Sequence, residues 1–180
     1  MSTITTTDNP PIEMDLPTGS GHTLSIFVNN EPGVLMRICQ VFSRRAFNID
    51  SLVVSQGRSR DFSRMTIGVT GDPSGLDQII KQVSKLIDVI HCYEHTSDDA
   101  VSKEMLLLKF KCSPEQRSEA LQICEHFSGK TVDLTPISMI VMFNGDTIKI
   151  NAALSMFSQF EIIETVRTGK VVMARGEQPT

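Results

Sequence analysis

A short polar segment, NNEPGV at residues 29–34, has the residue types that point most clearly to binding chemistry. It lies between an alternating, strand-like run and an amphipathic helical pattern, so it predicts a strand-to-helix turn. The first N–H groups of a helix have no intrahelical acceptor, and Gly33 would let a ligand approach them unobstructed. A carboxylate suits that position, and the Asn30 amide can orient a small zwitterion. The alternative is a plain turn with Pro32 at the helix start.

A second candidate is Asn48, at the start of the apolar run NIDSLVVS. That run predicts a strand at an open sheet edge, where Asp50 is the only charge. Such an edge invites pairing with another chain, which predicts a homodimer formed by sheet continuation. Asn48 would then lie near the interface and could face the Gly33 turn of the neighbour. The alternative is a residue in a left-handed turn after the helix.

The loop segment QGRSRDF carries Arg58 and Arg60 on an otherwise acidic protein. A loop on a rigid sheet is a suitable place for contact with a partner protein. The alternative is a solvated connector, because charged loops usually only face water.

Motifs for catalysis or metal binding do not stand out. The sequence contains no glycine-rich phosphate loop, no Gly-x-Ser-x-Gly elbow and no His-Glu-x-x-His helix. His91 and His95 fall in the strand-like run VIHCYEH, where residues four apart lie about 13 Å from each other, too far to share a metal. The cysteines lack the paired spacing of a zinc site and are predicted to be buried or semi-buried thiols, at positions 39, 92, 112 and 124. These features favour a binding or regulatory protein, with a small enzyme of scattered active site as the alternative.

The order of predicted elements gives the fold class. After a flexible tail, residues 1–21, the pattern reads strand, helix, strand, strand, helix, strand over residues 22–96, and the same order returns over residues 104–180 after a polar linker, 97–103. This order predicts an α+β protein of two ferredoxin-like βαββαβ domains. In the second domain we expect a helix opened by a capping box at 113–116, another at 146–157, and a final hairpin at 167–175.

Composition limits the environment and the partners. The chain has 180 residues, is 40% hydrophobic and has a formal net charge of -4, so no basic excess is available for nucleic acid. No apolar run approaches the roughly 20 residues that cross a bilayer, which predicts no membrane partner. Because the first 21 residues contain no Lys or Arg, we expect no targeting segment and a cytoplasmic location.

Longer segments resemble a known family. NNEPGVLMRICQVFSRRAFNIDSLVVS and SRMTIGVTGD resemble the amino-terminal ACT domain of the regulatory small subunit of acetohydroxyacid synthase, also called acetolactate synthase. DLTPIS and RTGKVVMARG resemble the carboxy-terminal domain of the same family. The resemblance spans nearly all of residues 22–176.

The resemblance implies a noncatalytic homodimer that activates a separate catalytic large subunit and makes it sensitive to valine or a related branched-chain amino acid. It places thiamine diphosphate, Mg²⁺ and FAD on the large subunit and no cofactor in this chain. It also implies an effector site between two ACT domains, with one chain contributing Asn30, Gly33, Val34 and Leu35 and the other contributing Asn48 and Ile49. The alternative is an ACT-type amino-acid sensor that regulates a different enzyme.

Overall fold

The computed structural model describes residues 21–177 and 179–180, and these form two antiparallel sheets with helices packed against them. The predicted tail lies outside the described residues except for Gly21, which begins the first strand. The elements of the first domain are β1 (Gly21–Asn29), α1 (Val34–Arg44), β2 (Asn48–Gln56), β3 (Phe62–Thr70), α2 (Pro73–Val83) and β4 (Val89–His95). The second domain contains β5 (Ala100–Lys111), α3 (Arg117–His126), β6 (Lys130–Leu134), β7 (Ser138–Gly145), α4 (Thr147–Met156), a 3₁₀ turn (Phe157–Gln159), β8 (Ile162–Arg167) and β9 (Val171–Ala174).

The first sheet has the strand order β2-β3-β1-β4, in which β1 pairs antiparallel with both β3 and β4. Alternate residues of β1 point into the core, namely Leu24, Ile26 and Val28. The helices bury residues at helical spacing against that face, Ile38 and Phe42 from α1 among them. The predicted ferredoxin-like arrangement is therefore confirmed, and β2 lies at a sheet edge as expected.

The second sheet repeats this topology with the order β6-β7-β5-β8. Its core contains a cluster of phenylalanine rings: Phe157 lies with its ring centroid 5.0 Å from that of Phe110 and 5.7 Å from that of Phe143. Helix α4 begins after Asp146, whose carboxylate accepts a hydrogen bond from the Lys149 N–H at 2.8 Å. The fold class predicted for the whole chain is thus confirmed.

Three local predictions were wrong. Residues 100–103, predicted as linker, form the start of β5, because they pair with β9. For the same reason β8 and β9 do not form a hairpin: the 12-residue β5 is long enough to pair with both of them along its length. Helix α3 begins at Arg117, later than the capping-box pattern indicated. Only one half of the capping box is present, in which the Ser113 N–H donates to Gln116 Oε1 at 3.1 Å.

The four cysteine thiols are buried or half-buried as predicted, with Cys39 the half-buried one. Burial raises the pKa of the Cys92 thiol to about 12 and also raises the pKa values of Cys112 and Cys124. Desolvation disfavours the thiolate, so these groups behave as small hydrophobic side chains. No helix in the described part of the chain is long and apolar enough to span a bilayer.

Candidate functional site

The turn before α1 presents unpaired backbone donors. Gly33 adopts a left-handed conformation with φ 84° and ψ -4°, which glycine tolerates without strain. In the part of the chain that the structure describes, the N–H groups of Gly33, Leu35 and Met36 find no hydrogen-bond acceptor, whereas the Val34 N–H reaches Glu31 O at 3.4 Å. These three N–H groups at the positive end of the helix dipole favour a negatively charged ligand group.

A guanidinium group stands beside this turn. A Cβ atom built on Gly33 would lie 3.3 Å from Arg37 Nη1. Arg37 Nε donates to Asp88 Oδ2 at 2.8 Å, and Asp88 O in turn accepts from the Asn29 N–H at 2.8 Å. Asp88 therefore holds the Arg37 guanidinium near the turn. Sequence reasoning missed Arg37, and its position in the first turns of α1, on the side of Gly33, was the signal that could have found it.

Asn30 is held in place by two side-chain hydrogen bonds. Its Nδ2 donates to Arg60 O at 2.9 Å, and its Oδ1 accepts from Ser63 Oγ at 2.9 Å. One N–H of the amide and one lone pair of its oxygen stay available for a ligand. The Asn30 amide is thus pre-oriented rather than free to turn.

The same contacts fix the arginine loop next to the turn. The Asn30 N–H donates to Asp61 O at 2.7 Å, so the backbone of the β2–β3 loop is tied to the end of β1. Arg58 and Arg60 are exposed on this loop. The structure brings together two features that the sequence analysis treated separately.

The apolar members of the predicted site have different positions. Val34 is only 3% exposed and belongs to the core, so its side chain does not reach a ligand at the surface. Leu35 is 37% exposed beside the free N–H groups. Ile49 is half-buried against the core. Leu35 is therefore the residue of this set best placed to contact an aliphatic ligand side chain.

Asn48 begins β2 in an extended strand, which overturns its alternative interpretation as a left-handed turn residue. That role belongs to Ala46, whose φ is 55°. The Asn48 Nδ2 donates to Asp50 Oδ1 at 2.9 Å, and Asp50 Oδ2 accepts from Thr70 Oγ1 at 2.7 Å. Asn48 is exposed at the sheet edge with its amide already oriented.

A single chain does not bring the two halves of the predicted site together. Gly33 precedes α1 and Asn48 follows it, so the 11-residue helix separates them by about 16 Å at 1.5 Å per residue. The edge strand β2 is hydrogen-bonded to β3 alone within the described chain.

The histidine and carboxylate side chains away from this turn form no reactive cluster in the described residues. His91 stacks between Phe27 and Tyr93, with ring centroids 5.2 and 5.0 Å away. Burial, and then the charges of Arg64 and His95, lower the pKa of His91. Within the described residues no three or more His, Cys, Asp or Glu side chains lie close enough together to hold a metal ion.

Comparison with known proteins covers both domains. The model of the family "AHAS small subunit-like ACT domain" matches residues 24–91, and that of "Small subunit of acetolactate synthase" matches residues 103–176. The chain is 41% identical over 157 residues to a probable acetolactate synthase small subunit from Archaeoglobus fulgidus, covering 87% of this chain and 98% of the relative. The chain belongs to the acetolactate synthase small-subunit family.

Two further relatives agree with this assignment. The acetolactate synthase small subunit of Mycobacterium bovis is 39% identical over 155 residues, covering 86% of this chain and 92% of that protein. The crystal structure of the acetolactate synthase small subunit from Thermotoga maritima matches with a TM-score of 0.79 and 33% identity, covering 88% of this chain and 99% of that one. The family resemblance expected from the sequence, including the ACT domain, is confirmed.

Proposed function

We propose that this chain is a noncatalytic regulatory subunit of acetolactate synthase. It activates a separate catalytic large subunit and makes that subunit sensitive to valine or a related branched-chain amino acid. The observation that carries the proposal is family membership along both domains, together with the free N–H groups and the guanidinium at the Gly33 turn. Thiamine diphosphate, Mg²⁺ and FAD belong to the catalytic subunit in this proposal.

The chemistry of the turn suits an amino acid. The effector carboxylate meets the N–H groups of Gly33, Leu35 and Met36 near the Arg37 guanidinium, where both the helix dipole and the cation favour a negative charge. The pre-oriented Asn30 oxygen accepts from the ammonium group. Leu35 contacts the aliphatic side chain. A small apolar contact discriminates weakly between valine and its homologues, because one methylene changes affinity by only about 1 to 3 kcal/mol.

A homodimer completes this site in the proposal. Pairing of the exposed β2 edges of two copies continues the sheet and carries Asn48 of one copy toward the Gly33 turn of the other. A ligand that touches both chains stabilises one relative arrangement of the domains, provided that it binds that arrangement better. Inhibition then needs no direct contact with the active site of the catalytic subunit.

Reconstitution tests the proposed function. The chain alone should form no acetolactate, and adding it to the purified catalytic subunit of the same organism should raise turnover. Valine should lower that raised turnover and should bind the isolated chain in calorimetry. Unchanged turnover at saturating concentrations of this chain would contradict the proposal.

Asn48→Ala is expected to weaken valine binding by about 1 to 3 kcal/mol, because a buried polar ligand group loses its partner. Stability should change little, since Asn48 is exposed and its Asp50 partner keeps the Thr70 bond. Calorimetry on the isolated protein measures the affinity, and Ser55→Ala, at an exposed position of the same strand, serves as the control. Asn48→Gly should bind as weakly as Asn48→Ala. Normal binding by either Asn48 variant would remove Asn48 from the site.

The double substitution of Arg58 and Arg60 by Ala should weaken activation of the catalytic subunit while leaving the valine affinity of the isolated protein unchanged. The loop backbone, which Asn30 contacts, is retained in this variant. We expect the defect to shrink as salt rises, because screening weakens the association that the wild-type protein makes through these exposed charges. The charge-matched control replaces Lys81 of α2 and Lys85 just after this helix, both of which are exposed. Full activation by the arginine variant at limiting concentration would make the loop a solvated connector.

A further inference from the structure

The loop between β8 and β9 packs its backbone directly on β2 of the first domain. Gly169 has a φ of 76°, and a Cβ atom built on it would lie 2.6 Å from Ser51 Cβ and 2.9 Å from Ser51 Oγ. On the other side, a Cβ on Gly68 of β3 would lie 2.5 Å from Ser51 Oγ. Ser51 is therefore held between two glycines, one from each domain, with no space for an added methyl group on either side.

Ser51 belongs to an irregular part of β2. The pairing register between β2 and β3 shifts between Ile49 and Ser51, so that Asp50 is the extra residue of a bulge. The Asp50 carboxylate joins the Asn48 amide to the Thr70 hydroxyl. A change in the orientation of Asn48 acts first on Asp50 and then on the adjacent Ser51.

The loop on the far side of this contact is firmly anchored in the second domain. Arg167 Nη2 donates to Glu104 Oε1 and Oε2, both at 2.9 Å, and Nη1 donates to Asn151 Oδ1 of α4 at 3.0 Å. The Thr168 N–H donates to Met105 O at 3.1 Å, and the Met105 N–H donates to Thr168 Oγ1 at 3.1 Å. These hydrogen bonds connect the Gly169 loop to β5 and α4.

A cavity lies beside this contact and gives it room to move. Its volume is about 360 Å³, and its lining includes Asp50, Ser51 and Thr70 of the first domain with Glu104, Arg167 and Gly169 of the second. The bulge and the loop both border this space.

We propose that the contact between Ser51 and Gly169 couples the effector site to the second domain. The inference rests on the proposed function, which places a bound amino acid next to Asn48. When the Asn48 amide turns to the ligand, it releases Asp50, the bulge relaxes, and the Ser51 side chain moves against the loop backbone. Because glycine backbone confines Ser51 on both sides, its movement requires the loop to move with it. Coupling of this kind is reciprocal, so loop position also sets effector affinity in the assembled enzyme.

Three variants test this contact in the reconstituted enzyme. Gly169→Ala forces the loop away from Ser51, and Ser51→Gly opens the contact from the other side. We expect each to raise the valine concentration for half-inhibition by at least about 5-fold, the lower end of typical coupling. The double variant places one Cβ atom back in the contact and should restore inhibition to within about 2-fold of wild type, because the effects of substitutions at two residues in direct contact do not add. Valine affinity of the isolated protein and activation without valine should stay within about 2-fold in all three.

Gly176→Ala is the matched control. Gly176 has a φ of 78°, and a Cβ there would meet no atom within 4 Å, so this variant carries the same backbone strain without the contact. It should be inhibited as wild type is.

Unaltered inhibition of both Gly169→Ala and Ser51→Gly would overturn the coupling while the proposed effector site stands. Equal loss of inhibition in Gly176→Ala, or no restoration in the double variant, would overturn it as well. If Gly169→Ala does not fold, the Ser51→Gly variant tests the coupling by itself, because it adds no atom to the contact. Absence of valine binding by the wild-type protein would instead overturn the effector site, and with it the coupling.

Discussion

Gly33→Asp should abolish valine binding by this chain, with a loss of at least about 100-fold, or about 2.7 kcal/mol. The Cβ of the new side chain would lie 3.3 Å from Arg37 Nη1, and its carboxylate would take the place of the effector carboxylate at the free N–H groups. It would satisfy the guanidinium and repel the ligand at the same time. Asp tolerates the left-handed conformation of Gly33 better than most residues, so the turn itself should persist.

The Gly33→Asn variant separates the effect of side-chain charge on valine affinity from the effect of side-chain volume. Asn has nearly the same shape and the same tolerance for the left-handed region, but it carries no charge. We expect Gly33→Asn to lose less affinity than Gly33→Asp in calorimetry, while both variants still activate the catalytic subunit. Wild-type valine binding by Gly33→Asp would remove the effector from this turn, and loss of activation in both variants would assign the turn to the subunit contact instead.

Phe157→Ala should destabilise the second domain by about 3 to 5 kcal/mol, which is the usual cost of removing a fully buried aromatic side chain. The Phe157 ring is completely buried and contacts three other aromatic rings, those of Phe110, Phe143 and Phe160. Truncation leaves a cavity that the short 3₁₀ turn carrying Phe157 can close only in part.

Hydrogen exchange followed in each domain measures this effect. Amides of β5 and β7 should exchange faster in Phe157→Ala, whereas amides of β1 and β3, which surround the other core, should change little. Ile148→Ala, at an exposed position of α4, is the control and should stay within about 0.5 kcal/mol of wild type. Equal acceleration in both domains would show that the two cores unfold as one cooperative unit.

The predictions for Gly33 and for Gly169 concern different steps of regulation. The Gly33 variants act on a ligand contact, whereas the Gly169 variants act on a contact between domains. Together they separate binding of the effector from transmission of its effect. Only the single Gly169 and Ser51 variants are expected to bind valine normally and yet fail to make the catalytic subunit sensitive to it.

Much of the architecture followed from local patterns. The alternating residues of β1 and the helical spacing in α1 each predicted an element that the structure contains. Their order was sufficient for the fold class, since few topologies are compatible with two successive βαββαβ units. The candidate turn at Gly33 was also visible, because its glycine and the helix start are adjacent in the chain.

Other features depended on contacts between distant residues. Arg37 and Asp88 are 51 residues apart, and nothing in either segment predicts their ion pair. The pairing of β9 with β5 and the packing of Gly169 on Ser51 are equally remote in sequence. The left-handed residue after α1 is Ala46 and not Asn48, for which the sequence had left that conformation open as the alternative.

The sequence by itself therefore determined the two βαββαβ domains, their family and the turn that carries the proposed effector site. Only the tertiary structure decided which charges stand beside that turn, how Asn48 is oriented and where the second domain contacts β2. The reason is physical: periodicity reports which face of a segment is buried, a property of neighbouring residues. It does not report which distant segment covers that face, because that choice depends on the packing of the whole chain.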